Sequence, residues 1–218
     1  MMVKYKFKFS ELEIKHIAIA LVALSFAFSL ILFRQEIFFS GRTPAEIGAA
    51  FPIYFGQSLV AVGIGFILHE LGHKFIAQRK GLWAEFRMWP AGLVLAVGLA
   101  IFSRGGFVFA APGAVMISPV HRTRDGYSIT TLKPEDTGKI SIIGSVINLV
   151  LAAVFSLLSL ATGFEIFGIS AQVNAWLALF NQIPVSLLDG AKVMYWSKGI
   201  WAGFFVLCLA VFGLTVIL

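Results

Sequence analysis

Residues 65–77 read GFILHELGHKFIA, and they begin inside an uncharged apolar run, residues 47–68. Directly after that run, two histidines and a glutamate fall within the five residues HELGH. Ionisable side chains at membrane depth cost several kcal/mol and are therefore usually paired or functional. An apolar helix that carries this cluster is unlike a plain anchor, and the cluster indicates a functional site.

The composition around this stretch is that of a membrane protein. The chain has 218 residues, of which 59% are hydrophobic and 13% charged, and its mean hydropathy is +0.90. A membrane-crossing helix needs roughly 17–25 apolar residues. Five uncharged runs have about this length, at 17–33, 47–68, 140–164, 166–188 and 199–218. We therefore predict an α-helical integral membrane protein with about five transmembrane helices, forming a single domain over residues 1–218.

A sixth uncharged run, residues 90–103, is too short for an ordinary crossing. Basic residues in short loops mark the cytoplasmic side of a membrane. They follow the second run and recur between residues 121 and 139, and they also precede the first run. This pattern places the N-terminus of a multi-pass cell-membrane protein in the cytoplasm. It also predicts that residues 90–103 are re-entrant, because a full crossing would invert every later segment.

Alternation of apolar and polar residues predicts a small β-sheet or hairpin at the cytoplasmic membrane surface. The segment WAEFRM, residues 83–88, alternates in this way. Pro112 and Gly113 predict a turn between two further strand-like pieces, 105–111 and 114–118. Residues 3–9 also alternate, although a disordered basic tail on anionic lipid explains them equally well.

The HELGH cluster has the spacing H-E-x-x-H of a zinc site. Residues four apart share a helix face, with Cβ atoms roughly 5–6 Å apart, so His69 and His73 can bind one ion. Glu70 is adjacent and free to act on water at the metal. The alternative is a cluster that merely lies at the membrane interface, where Lys74 offsets the charge of Glu70.

A catalytic zinc usually has three protein ligands, so a further ligand is needed. Asp189 follows the uncharged run 166–188, and the charge pattern brings this run out on the same side as His73. Asp189 is therefore the candidate third ligand of one Zn²⁺ per chain. The alternatives are an ion pair with Lys192 or a helix-capping role.

Together with HELGH, the segment NQIPVSLLDG, residues 181–190, resembles the site-2 protease family of intramembrane zinc metalloproteases. The second motif of that family reads N-x-x-P-x-x-x-L-D-G, and the matching residues here are Asn181, Pro184, Leu188, Asp189 and Gly190. The resemblance extends over about residues 47–195, the predicted catalytic core. It implies that His69, His73 and Asp189 hold zinc, that Glu70 is the general base, and that Asn181 contacts the substrate and its developing oxyanion.

Members of that family often carry a third motif, G-P-x-x-N. Here GSVIN, residues 144–148, keeps Gly144 and Asn148 but has Ser145 at the proline position. The resemblance makes Asn148 a second candidate for the oxyanion contact. The function implied is regulated intramembrane proteolysis, with transmembrane proteins in the lipid bilayer as substrates. A strand edge within 84–88 or 106–118 would capture an unwound substrate by strand addition.

Other functions fit the sequence less well. A membrane protein that only binds or transports zinc needs no base beside its ligands, so Glu70 argues against it. A second class of membrane zinc protease takes its third ligand from a glutamate on a later helix, whereas the later glutamates here, Glu85, Glu135 and Glu165, fall in predicted loops. Nucleic acid is not an expected partner, because the basic residues are scattered. The single cysteine, Cys208, excludes intrachain disulfides and a cysteine-rich metal cluster.

Overall fold

The computed structural model describes residues 7–39, 41, 43–123, 126–129 and 131–217. Within these ranges the chain is mainly helical. The helices are α1 Glu11–Phe39, α2 Pro44–Arg79, α3 Pro90–Phe102, α4 Pro134–Thr162, α5 Glu165–Asn181, α6 Asp189–Trp196 and α7 Lys198–Ile217. The strands are β1 Trp83–Met88, β2 Gly113–Ser118, β3 Val120–Thr123 and β4 Gly126–Ile129.

Four helices in the described part of the chain are long and apolar enough to cross a membrane, which confirms that this is a membrane protein. They cover Glu11–Arg34, Gly48–Arg79, Pro134–Thr162 and Lys198–Ile217. The predicted fifth run, 166–188, divides into the 17-residue helix α5 and a non-helical segment, 182–188. Pro184 lies in that segment, where it lacks a backbone N–H and cannot continue the helix. A fifth crossing therefore stays a prediction.

Small residues allow α2, the helix that carries the HELGH cluster, to pack closely against its neighbours. Ala61 on α2, Ala152 on α4 and Ala175 on α5 are fully buried. At Gly72 an added Cβ would lie 2.4 Å from Ile147 Cδ1, so α2 and α4 are closer there than a larger residue permits. Close backbone approach through small residues is typical of helix packing in membranes. Here it brings α4 directly against the cluster.

The sheet differs in part from the prediction. Strand β1 forms where the alternation of residues 83–88 predicted it, and it pairs antiparallel with β2 from Trp83↔Ser118 to Met88↔Gly113. The predicted turn at Pro112 and Gly113 between two strand-like pieces is wrong, since residues 107–111 form no strand, whereas the second piece, 114–118, is strand β2. Val108 and Ala110 are buried instead, and the Phe109 ring packs on Phe180 with centroids 5.2 Å apart. Burial of this apolar segment against α5 replaces pairing with β2.

Helix α3 and the segment after it connect β1 to β2, and the two ends of this connection lie next to each other. Trp89 N–H, just before α3, donates to Pro112 O at 2.7 Å. At the far end, Gly105 packs on the backbone of α1, where an added Cβ would lie 2.1 Å from Leu30 O. Gly105 also has a φ of +74°, so glycine is favoured there for two reasons. Entry of this segment into the membrane stays a prediction.

The N-terminal alternation produces no strand in the part that the structure describes. Residues 7–10 precede α1 without regular structure, and residues 1–6 lie outside the described residues. A second antiparallel pair, β3 with β4, runs from Val120↔Ile129 to Thr123↔Gly126. The prediction that Glu85, Glu135 and Glu165 lie in loops is wrong, because they lie on β1, α4 and α5. The candidate metal-binding group nevertheless contains none of these glutamates.

Candidate metal centre

The two histidines of the cluster face each other near the end of α2. His69 is 4% exposed and His73 is 5% exposed. Their Nε2 atoms are 3.0 Å apart, and the rings meet edge to face with centroids 4.6 Å apart. The four-residue spacing therefore places both imidazoles on one helix face, as predicted.

Asp189, the first residue of α6, completes a three-residue group. Its Oδ2 lies 2.9 Å from His73 Nε2 and 3.5 Å from His69 Nε2. One ligand atom from each of the three residues lies within 4.8 Å of the others. Ligands of a tetrahedral zinc at 2.0–2.1 Å are separated by about 3.3 Å, so the observed spacing fits such an ion.

The outer ring nitrogens determine which tautomers the histidines adopt. His69 Nδ1 is 2.6 Å from Asn148 Oδ1, and His73 Nδ1 is 2.6 Å from Ile140 O. A carbonyl oxygen only accepts, so each Nδ1 carries the proton and each Nε2 presents a lone pair. Two lone pairs and a carboxylate oxygen then converge, and they repel one another unless a cation lies between them. This donor set fits a divalent metal ion.

Asn148 lies behind His69 and outside the cleft that contains Glu70. Its Nδ2 donates to Gly65 O at 3.1 Å and to Asn174 Oδ1 at 2.9 Å, which turns its Oδ1 toward His69. Asn148 and Asn174 are both fully buried. The predicted contact between Asn148 and an oxyanion does not match this placement. Both amide hydrogens of Asn148 already donate to other groups, and its oxygen faces His69.

The glycine of the GSVIN segment is required by the histidines themselves. An added Cβ at Gly144 would lie 2.5 Å from His69 Nε2 and 2.6 Å from His73 Nε2. No larger residue fits there unless the imidazoles move. Ser145, at the proline position of the motif, accepts a hydrogen bond from Gln182 Nε2 at 2.9 Å. Helix α4 is thereby tied to the non-helical segment that precedes Asp189.

Glu70 and Asn181 line a cleft beside the three candidate ligands. Glu70 is 8% exposed, and its Oε2 is buried without a hydrogen-bond partner among the described residues. Asn181 donates through Nδ2 to Leu177 O at 3.0 Å, which leaves its second amide hydrogen for another acceptor. The cleft is lined by residues of α2, β2, α4, α5 and α6 and of the segments before β2 and α6: His69, Glu70, His73, Ala111, Gly113, Ala114, Val115, Ile117, Ile140, Ser141, Asn181, Leu187, Leu188, Asp189 and Lys192.

The ion pair that was considered as an alternative role of Asp189 is present together with the histidine contacts. Lys192 Nζ donates to Asp189 Oδ1 at 3.1 Å, whereas Oδ2 faces the histidines. One carboxylate thus serves both contacts, and Lys192 fixes its orientation.

Three contributors to the site were not identified from the sequence. The Ile140 carbonyl has no sequence signal, because any residue supplies a carbonyl. Asn174 had one, since it is an amide within the apolar run 166–188. Lys192 was considered only as the partner of Asp189 in an ion pair that would replace metal binding, although Lys192 also lines the cleft.

Comparison with known proteins gives one clear relationship. No family model matches the chain, and no solved structure matches it. A curated protein of Methanocaldococcus jannaschii, named "Putative zinc metalloprotease", is 37% identical over 203 residues, which cover 90% of this chain and 90% of that protein. At this identity and coverage, the chain belongs to the zinc metalloprotease family of that archaeal protein.

Proposed function

We propose that the protein is an intramembrane zinc metalloprotease that hydrolyses peptide bonds in or near the transmembrane segments of other membrane proteins. The observation that carries this proposal is the convergence of His69, His73 and Asp189 beside a buried Glu70 whose Oε2 has no hydrogen-bond partner in the described part of the chain. The helices long enough to cross a membrane and the zinc metalloprotease relative support the same function.

In this proposal His69, His73 and Asp189 hold the metal, and the residues around it handle the proton and the developing charge. Zinc in such a site polarises the scissile carbonyl and lowers the pKa of water to about 7. Glu70 takes the proton of the attacking water and passes it to the leaving amine. The free amide hydrogen of Asn181 donates to the oxyanion that develops on the scissile carbonyl, a type of contact worth roughly 2.7–4 kcal/mol.

We place the site at the cytoplasmic side of the membrane, with the N-terminus inside. Lys74 near the end of α2 bonds to Glu13 near the start of α1, so these two ends lie together. Ile140 near the start of α4 and Asn181 at the end of α5 lie at the same cleft. With α5 as a fifth crossing and α3 in a re-entrant segment, each crossing alternates direction. Most of the lysines and arginines then fall on the side of the metal centre, from which water reaches it.

We further propose that an unwound substrate binds as a strand on β2. Phe86 N–H points away from β2, because it donates to Glu13 Oε1 at 3.0 Å. Pairs in an antiparallel ladder alternate, so Val115, the partner of Phe86, also directs its N–H and C=O away from β1. The same alternation applies to Gly113 and Ile117. All three line the cleft, and no other strand of the described residues pairs with β2.

A proline at Val115 tests this edge. Val115→Pro removes an N–H directed at the substrate but no hydrogen bond between β1 and β2. We expect cleavage to fall roughly tenfold or more, since the lost bond contributes about 1 kcal/mol and the ring also blocks close approach. Zinc content should be unchanged. Val115→Ala is the matched control and should cleave normally; equal activity of the two variants would contradict binding at this edge.

Zinc removal tests the enzyme against a zinc-binding or transport protein. We expect the purified protein to cut a labelled single-span substrate in detergent, to lose this activity with a chelator, and to regain it with about one zinc per chain. The protein in vesicles should not carry zinc across the membrane. Zinc flux without cleavage would favour transport instead.

A further inference from the structure

A buried ion pair lies next to the metal centre but contributes no atom to it. Lys74 Nζ is 2.5 Å from Glu13 Oε2, and both side chains are 1% exposed. Lys74 Nζ also donates to Lys8 O at 2.7 Å. Two buried charges cost several kcal/mol each to desolvate, so such a pair adds little net stability; in some proteins it instead selects one arrangement of the chain.

The second carboxylate oxygen of Glu13 binds the outer edge of β1. Phe86 N–H donates to Glu13 Oε1 at 3.0 Å, and nearby Ser10 Oγ donates to Glu85 Oε2 at 3.1 Å. The first turn of α1 thus occupies the edge of β1 that faces away from β2. A carboxylate here takes the place that a neighbouring strand would fill.

Lys74 connects this edge to the metal-binding helix. It directly follows His73 on α2, and the rings of Phe9 and Phe7 cover its ammonium at 4.3 and 5.6 Å. Cation–π contacts of this kind strengthen when water is excluded. Through Glu13 and Lys74, therefore, β1 is held at a fixed position relative to His73.

We infer that the Glu13–Lys74 pair is a positioning device that closes the β1 edge and fixes the sheet on α2, so that it determines which peptide bond of a strand on β2 reaches the metal centre. This inference rests on the proposed function. Neighbouring residues of a strand are about 3.3–3.4 Å apart, so a shift of the sheet by one residue selects a different bond.

Two double variants separate this role from a purely structural one. Glu13→Leu/Lys74→Met removes both charges without leaving either unpaired, and Glu13→Lys/Lys74→Glu restores an ion pair but supplies no acceptor for Phe86 N–H. We expect both to retain zinc, to show a KM roughly tenfold higher with kcat less affected, and to cut at additional positions found by mass spectrometry. Single wild-type cleavage products from both variants, with only the melting temperature changed, would overturn the inference.

Cross-linking tests the same point without catalysis. In a Glu70→Gln, Cys208→Ser background, a cysteine replaces Met116 on β2 or Arg87 on β1, and a single-span peptide with one cysteine near its cleavage site is the probe. With the Glu13–Lys74 pair intact, only the β2 cysteine should form a disulfide; in Glu13→Leu/Lys74→Met, both should. Identical patterns with and without the pair contradict the inference alone. If no disulfide forms at either position, strand addition is contradicted, and the inference is then contradicted as well.

Discussion

Glutamine in place of Glu70 is expected to abolish peptide cleavage while the zinc stays bound. Glutamine has nearly the same shape but cannot take a proton from water, and general-base catalysis contributes typically 10²–10⁴-fold. Glu70 is adjacent to His69 but is not part of the group His69, His73 and Asp189. We therefore expect cleavage of a labelled single-span substrate to fall by about this factor, with about one zinc per chain by metal analysis.

A matched control is available on α4. Glu135 is exposed, pairs with Lys139 one helical turn along, and is not among the residues that line the cleft. Glu135→Gln should cleave as the wild type does, because an exposed pair of this kind contributes little. Wild-type cleavage by Glu70→Gln would exclude Glu70 as the base. Loss of zinc from Glu70→Gln would instead make Glu70 a ligand.

The candidate metal-binding group could be predicted from the sequence because a local constraint and a topological one coincide. Helical periodicity alone places His69 and His73 on one face. Asp189 is 116 residues beyond His73. It was included because the number of predicted crossings and the positions of the basic residues put both residues on the same predicted side of the membrane. The structure brings these three residues within reach of one ion. Sequence signals are strong at such positions because an ionisable side chain within the membrane costs free energy, so its presence there indicates a function.

The sheet was less predictable because pairing is decided by tertiary contacts. Residues 105–111 read as a strand, yet this segment packs on α5 instead, with Val108 and Ala110 buried. Phe107, for example, packs on Trp176 with centroids 5.9 Å apart. Strand propensity reflects fit to a half-buried surface, which a sequence does not define. Hence β1 and its partner β2 were located correctly, at 83–88 and 114–118, whereas the strand predicted at 105–111 did not form.

Asn148 illustrates a different limit. A buried asparagine in the core of a membrane helix indicates a polar contact, but the sequence does not say which one. Its orientation toward His69 follows from two further contacts, to Gly65 O and Asn174 Oδ1, which come from other helices. Amide orientation is set by the whole network of donors and acceptors. A motif therefore identified the residue, whereas only three-dimensional packing could assign its contact.

Replacement of Asp189 by asparagine is expected to remove most of the zinc and, with it, the cleavage activity. Asparagine has nearly the same shape and can still accept from Lys192, but a neutral amide oxygen binds a divalent cation much more weakly than a carboxylate. Loss of a partner outside the ligand shell typically costs 10–100-fold in metal affinity, so we expect loss of a ligand to cost at least about 100-fold. Zinc content after equilibration against a zinc buffer measures this.

The control for Asp189→Asn is Lys192→Met, which distinguishes a metal ligand from a simple ion pair. This variant removes the contact of Lys192 with Oδ1 but leaves Oδ2 beside the histidines, 2.9 Å from His73 Nε2. If Asp189 is a ligand, Lys192→Met should lose only about 10–100-fold in zinc affinity, less than Asp189→Asn, because the lysine orients the carboxylate without binding the metal. If the aspartate served only the ion pair, both variants would keep their zinc. Full zinc occupancy in Asp189→Asn would therefore exclude Asp189 from the metal centre and require a different third ligand.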